Sequence, residues 1–197
     1  MTVPSPGHAL SFRPATPADI PALLPLIRSA YHGAFPSSSA EADIFAAKRA
    51  TEATLLAKIA APEVVVLHVT DAASTSSSAA ATAEALPPLP PLSCCEIARS
   101  AGDAGLAHFG LFAVDPARQA GGVGGAVLRY AEELAKRAWG TRRMEMTVLW
   151  MRTGLVAYYE RRGYRRTGER REFPYAELYE GEALRDDLWF VVLEKEL

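Results

Sequence analysis

The chain has 197 residues, 49% of them hydrophobic, and a formal net charge of −2 at pH 7. That length suits one domain, 1–197, with a single substantial core, and the near-neutral charge argues against general nucleic-acid binding. Two adjacent cysteines, Cys94 and Cys95, make no disulfide framework; with no apolar run near ~20 residues and no signal pattern in Met1–Pro6, a soluble cytoplasmic protein without a membrane partner is expected, nuclear residence being left open.

Ala9–Pro14 reads as a first strand. Thr16-Pro17-Ala18-Asp19 then signals a helix start, with Thr as cap and Pro in the first turn. This helix should run to about Tyr31, although Pro25 is expected to break or bend it. A second helix is predicted over Ala40–Ala60, and the short β-branched run Val64–Val69 is a buried strand. From Asp71 to Ser93 the chain is almost wholly Ala, Ser, Thr and Pro, too poor in apolar bulk to offset ordering entropy. Residues 71–93 are expected to form a flexible loop between two strands of one domain. Its end, Pro87–Pro91, leaves a proline-rich docking role open.

Cys94–Ser100 resumes as a strand, 101–105 forms a tight turn, and Leu106–Val114 is the central strand. After Asp115-Pro116 come four glycines, Gly121, Gly122, Gly124 and Gly125, and then a helix from Gly122 to Ala138. Val123, Val127, Ala131, Leu134 and Ala138 recur at steps of three and four, which marks one buried face. Arg129, Glu132, Glu133, Lys136 and Arg137 are assigned to the other side, and Gly140 is a stop signal. Met144–Leu149 is the next strand, Thr153 can cap a short helix through Arg162, and Tyr164–Phe173 and Leu188–Glu194 complete the set. The sum is a mixed sheet of about seven strands with helices on both faces.

The glycine turn carries the chemistry. Residues without Cβ let backbone N–H groups approach a diphosphate, and a helix N-terminus adds about half a positive charge. Within this turn, Gln119-x-x-Gly122-x-Gly124 resembles the Gln/Arg-x-x-Gly-x-Gly/Ala signature of the GCN5-related N-acetyltransferases (GNAT superfamily). Downstream, Leu155-Val-Ala-Tyr-Tyr159-Glu-Arg-Arg-Gly163-Tyr164 resembles that family's aliphatic…Tyr-Glu-x-x-Gly-Phe/Tyr pattern. The likeness is clearest from Leu106 to Tyr164.

The resemblance implies an α/β (α+β) fold with a mixed, mostly antiparallel sheet whose central strands splay to admit the pantetheine arm of acetyl-coenzyme A. It implies that Gln119, Ala120, Gly121, Gly122, Val123, Gly124 and Gly125 hold the pyrophosphate. It further implies that Phe112, Ala113 and Val114 meet the pantetheine through main-chain groups. Tyr159 stands where the family places its general acid, and a phenol of pKa about 10 can protonate a departing thiolate. Tyr158, about 100° around the helix, cannot face the thiol as well; either tyrosine can instead be a half-buried core aromatic.

His108, eleven positions before Gln119, is the candidate base, since imidazole titrates near neutral pH; an ordinary cleft histidine is the alternative. Many relatives carry asparagine where this chain has Arg152, which can fork onto a phosphate or a carboxylate or face solvent. Arg118 can reach a phosphate or lie free on the surface. The basic run Arg161–Arg171 and the acids Glu177–Asp187 read first as solvated faces. No His/Cys/Asp cluster has metal-ligand spacing, so no metal is expected.

These residues point to an acetyl-coenzyme A-dependent N-acetyltransferase acting on a small primary amine by direct ternary-complex attack. Alternatives are transfer to a protein α-amine or lysine, and a non-catalytic acyl-coenzyme A-binding module. A phosphate loop of the nucleotide-binding type fails for want of a Lys-Ser/Thr after the glycines. The family often forms homodimers, but nothing in the sequence selects an interface.

Overall fold

The computed structural model describes residues 9–32, 50–72, 90–119, 121–175 and 186–197. Among these residues seven strands form one sheet: β1 (Leu10–Pro14), β2 (Val64–Asp71), β3 (Ser93–Arg99), β4 (Leu106–Val114), β5 (Arg143–Leu149), β6 (Arg165–Glu172) and β7 (Trp189–Glu196). Their order is β1-β2-β3-β4-β5-β7-β6. Every neighbouring pair is antiparallel except β4–β5, which is parallel. Among the described residues four helices flank it: α1 (Ile20–His32), α2 (Glu52–Ala60), α3 (Val123–Trp139) and α4 (Thr153–Glu160). None of these is long and apolar enough to cross a membrane.

Strand alternation builds a core on each face of the central strands. Leu67, Val69, Cys95, Ile97, Ala107, Phe109, Met144 and Met146 pack with α3 and α4 on one face. Val66, Cys94 and Ala113 pack with Leu23, Ile27 and Leu55 of α1 and α2 on the other. The neighbouring cysteines therefore point into opposite cores, as successive residues of a strand must. Both are fully buried, and burial pushes the Cys94 thiol up to about 12 and that of Cys95 well above its ordinary value.

The start of α1 follows the sequence signal closely. A 3-10 turn at Pro17–Asp19 leads into the helix, and Asp19 accepts from Thr16 N at 2.8 Å and Thr16 Oγ1 at 2.9 Å. Arg13 clamps the same carboxylate with two bonds of 2.7 and 2.6 Å. Pro25 does not end the helix. Its missing N–H orphans the carbonyl of Pro21, a cost of about 3 kcal/mol, which burial of Leu23, Leu26 and Ile27 offsets.

The helix expected over Ala40–Ala60 is not continuous. Residues 40–49 lie outside the described residues, and Thr51 is extended and caps α2, its Oγ1 accepting from Thr54 N at 3.1 Å. The loop expected over 71–93 is described only at its ends, since β2 continues to Asp71 and β3 opens at Ser93.

On α3 the buried stripe is Val123, Val127, Leu128, Ala131, Glu132 and Ala135, while Leu134 is half-buried and Ala138 exposed. The expected stripe drifted by about one position at its end. Glu132 is therefore not on the solvent side. It accepts from Tyr164 Oη at 3.0 Å and Lys195 Nζ at 2.7 Å, tying α3 to the start of β6 and to β7.

Two stability predictions follow from these buried polar groups. Glu132→Ala leaves the Tyr164 hydroxyl and Lys195 ammonium without their acceptor. It should cost about 2–3 kcal/mol in urea unfolding; a loss below about 0.5 kcal/mol would show the network to be idle. His68 is 2% exposed, and burial, helped by Arg13 and opposed by Asp19, lowers its pKa. The unfolded chain then binds the extra proton below about pH 6.5, so stability should be lost as pH falls through that value. Tm should rise from about pH 5 to 7, and His68→Leu should flatten that rise; equal slopes would refute this assignment.

Candidate active site

β4 carries an irregularity at its middle. Its register with β3 passes from Glu96↔Gly110 to Cys94↔Ala113, so Cys95 faces both Leu111 and Phe112, and Leu111 takes φ 45°. This bulge reverses the alternation: Phe109 packs on the α3 face before it, and Phe112 returns to that face after it. Ser93 Oγ donates to Ala113 O at 2.6 Å and fixes the register beyond the bulge.

On its other side β4 pairs with β5 over Leu106↔Arg143, Ala107↔Met144 and His108↔Glu145. The two strands then part. Phe112, Ala113 and Val114 thus border a gap at the carboxyl end of β4, where parallel strands usually bind ligands.

The glycine turn opens at the same end. Gly122 caps α3 at φ 82°, which suits a residue without Cβ, and Gly121 and Gly122 are exposed. The first i→i−4 bond is Ala126 N to Gly122 O at 3.1 Å, so the N–H groups of Val123, Gly124 and Gly125 have no partner within the helix. Three donors with the helix dipole behind them fit a diphosphate. Gln119 Nε2 donates to Val114 O at 3.4 Å and closes the turn onto β4. Ala120 lies outside the described residues.

Gly124 has a tighter reason to be glycine. A Cβ there would stand 2.9 Å from Tyr158 Oη and 3.3 Å from Phe112 Cζ. Tyr158, the neighbour of the candidate acid, thus lies against the first turn of α3. The Arg162 guanidinium stacks 3.4 Å above its ring and donates to Tyr158 O at 2.9 Å.

Tyr159 turns into the core instead, edge-on to Tyr158 and Tyr164 with ring centroids 5.2 and 5.9 Å away. Burial pushes its hydroxyl pKa well above the ordinary phenol value, with Tyr31 and Tyr158 adding and Arg152 opposing. The hydroxyl is therefore a held proton. The expected cap of α4 moves by one residue: Arg152, not Thr153, is the N-cap, because its carbonyl takes the first helical bond, from Val156 N at 3.0 Å.

The helix ends at Glu160, before the expected Arg162, in a Schellman motif. Gly163 N bonds Glu160 O and Tyr164 N bonds Tyr159 O, with Gly163 at φ 93°. The Tyr-Glu-x-x-Gly-Tyr spacing is thus the geometry of one helix stop, which holds Tyr159 and Tyr164 together.

His108 approaches from the other side of the sheet. Its neighbours Ala107 and Phe109 belong to the α3 face, so His108 and its register partner Glu145 lie on the α1 face. His108 Nδ1 is 3.1 Å from Glu145 Oε1, and Arg171 grips the same carboxylate at 2.5 and 2.9 Å. Glu145 and Arg171 were not singled out as site residues. The alternation Met144-Glu145-Met146 marks a charge on an inward-looking strand, which was the available signal. Arg118 pairs with Asp71 at 3.3 Å. The basic run is accordingly not one solvated face: Arg162 and Arg171 are engaged, Arg170 stacks on Trp189 at 4.3 Å, and Arg166 pairs with Glu160.

Comparison with known proteins bears on the family and the fold. The acetyltransferase (GNAT) family model matches residues 34–164. The ribosomal-protein-S18-alanine N-acetyltransferase of Escherichia coli superposes with a TM-score of 0.63 at 15% identity, over 95% of this chain and 94% of that one. A chimera of the spermidine N-acetyltransferase SpeG from Vibrio cholerae and hSSAT gives 0.64 at 13% identity, over 95% of both chains. The PaiA N-acetyltransferase of Thermoplasma acidophilum, solved with coenzyme A, gives 0.61 at 14%, over 96% and 99%. No curated protein sequence matches the chain.

The contact over Gly124 yields a test. Gly124→Ala should destabilise the chain by about 1–2 kcal/mol through overpacking. Adding Tyr158→Phe should return part of that loss in a double-mutant cycle; strict additivity would mean that the hydroxyl does not limit this position.

Proposed function

We propose that this chain, which belongs to the GNAT family of acetyltransferases, transfers the acetyl group of acetyl-coenzyme A to a primary amine of a small molecule. The observation that carries this reading is the gap between β4 and β5, with three helix N–H groups that lack a helical partner at its open end. Acetyl-coenzyme A supplies the acetyl group as a thioester, already activated for attack. In this reading Gln119–Gly125 hold the diphosphate, and the main chain of Phe112, Ala113 and Val114 pairs with the pantetheine arm. Arg152 at the α4 N-cap is a further contact for the cofactor.

An alkyl ammonium, of pKa about 10.4, has no lone pair, so the acceptor must first lose a proton. His108 takes it at Nε2. As the C–N bond forms and the C–S bond breaks, Tyr159 Oη gives its proton to the departing sulfur. The second proton lost by the nitrogen refills Tyr159, and His108 releases its own to water. Burial keeps Tyr159 protonated until the sulfur departs, and the same burial makes it a weaker donor than a free phenol.

Solved proteins of this fold include enzymes named for a protein alanine and for spermidine. The preference for a small acceptor rests on His108 standing at the vertex of the gap, where a slender alkylamine reaches it most easily.

Thiol release from acetyl-coenzyme A, measured against polyamines, amino acids, arylalkylamines, aminoglycosides and amino-terminal peptides, tests the proposal. Turnover of a small amine is expected. Turnover of peptides alone would overturn the acceptor class, and tight coenzyme A binding without any turnover would point to a binding module. With a productive amine, Tyr159→Phe should lower kcat about 10²-fold or more at unchanged coenzyme A affinity; undiminished kcat would remove Tyr159 as the acid.

A further inference from the structure

We propose that Glu145, anchored by Arg171, is a positioning residue that fixes His108 as the Nδ1–H tautomer and so presents Nε2 as the proton acceptor at the vertex of the β4–β5 gap. The inference deepens the reading above and rests on it for its catalytic consequence. Its structural part stands on three contacts and the sheet register.

Glu145 is 5% exposed and lies under the sheet's α1 face. Arg171 Nη1 donates to Oε1 at 2.5 Å and Nη2 donates to Oε2 at 2.9 Å. β7 lies between β6 and β5, so the Arg171 side chain spans a whole strand to make this pair. On its outer side Arg171 Nε donates to Glu169 Oε1 at 2.9 Å, which holds the guanidinium from both ends. A carboxylate gripped by a bidentate guanidinium only accepts. The 3.1 Å contact from His108 Nδ1 to Oε1 therefore requires the proton on Nδ1.

A neutral imidazole with Nδ1 protonated has its lone pair on Nε2. The His108 side chain is 39% exposed, whereas Glu145 is enclosed, so the free end of the ring is the accessible one. An unconstrained histidine prefers the opposite tautomer, with Nε2 protonated and unable to take a proton. Glu145 thus removes the wrong tautomer. When Nε2 accepts the proton of the acceptor ammonium, R–NH3⁺ becomes R–NH2 and the new imidazolium faces a carboxylate whose Nδ1 bond is already made. No group has to move. Two neighbouring cations on this face are paired elsewhere: Arg143, two residues before Glu145, bonds Glu194 at 2.7 Å and Asp103 at 2.5 Å, and Lys58 bonds Glu96 at 2.7 Å.

The tautomer is directly observable in ¹⁵N spectra of the ring nitrogens of the whole protein at about pH 8.5, some two units above the usual imidazole value. His108, assigned by its loss in His108→Ala, should show the Nδ1–H pattern. Glu145→Leu should convert it to Nε2–H, and Glu145→Gln, whose amide oxygen still accepts, should retain Nδ1–H. With a productive amine, Glu145→Leu should lower kcat tenfold or more with the KM for the amine within twofold, while Glu145→Gln keeps most of the rate. Adding His108→Ala to Glu145→Leu should cost little beyond His108→Ala alone.

An Nε2–H signal in the unaltered protein, or an unchanged tautomer in Glu145→Leu, would overturn the proposal. The first of these needs no variant, so a Glu145→Leu chain that fails to fold does not block the test. Nδ1–H in a protein that acetylates no amine would overturn the acetyltransferase reading and leave the positioning of His108 standing. Nε2–H in an active enzyme would overturn the positioning alone.

Discussion

β4 and β5 are joined over three residue pairs and then separate, and most of what this molecule presents depends on that divergence. Parallel strands cannot be joined by a hairpin; they need a crossover, and α3 supplies it. The crossover leaves β4 at its carboxyl end, so the amino terminus of α3 is delivered where the strands part. Bare helix donors and an open sheet seam are thus brought together by connectivity alone. The bulge at Leu111 adds a second constraint, because it sends Phe112 back toward α3 and Leu111 away from it. An open seam leaves main-chain groups without strand partners, and such groups favour an extended ligand that completes the ladder.

The surroundings of the seam are firmly braced. Tyr158 and Phe112 meet above Gly124, Tyr159 wedges between Tyr158 and Tyr164, and the Schellman turn at Gly163 fixes the spacing of those rings. Glu132 joins α3 to β7 through Lys195, so the helix that offers its amino terminus is braced near its middle. On the opposite face the His108–Glu145–Arg171 chain extends the bracing to the edge strand β6. The two side chains assigned to proton transfer thus lie on opposite faces of the sheet, Tyr159 on α4 and His108 on the α1 side of β4. Preorganisation of this sort sets groups in place before a substrate arrives, which avoids reorganisation during the reaction.

Much of the fold was legible in local patterns. β4 was read with its true ends, because Asp115-Pro116 closes it and a turn precedes it. The α3 caps were equally plain, since Gly122 and Gly140 both adopt positive φ. The family likeness was carried by spacings that correspond to physical devices: a helix start that spares Cβ atoms, and a helix stop that needs Gly163. What escaped the reading was contact across the chain. Nothing local distinguishes Glu132 from Glu133, yet one is buried under Tyr164 and the other exposed. Arg171 sits in a strand that reads as wholly solvated, and its partner lies two strands away. The bulge was also invisible, because Leu111 is no residue that sequence rules associate with a positive φ.

The two cysteines have one more consequence. Each thiol is enclosed in a different core, and burial keeps both in the protonated, unreactive form. A disulfide reagent added to the folded protein therefore finds no nucleophile of the chain's own. A group-transfer reaction that liberates a thiol is seen against a silent background, and the same insulation spares the protein from mixed disulfides with the coenzyme it is read as releasing.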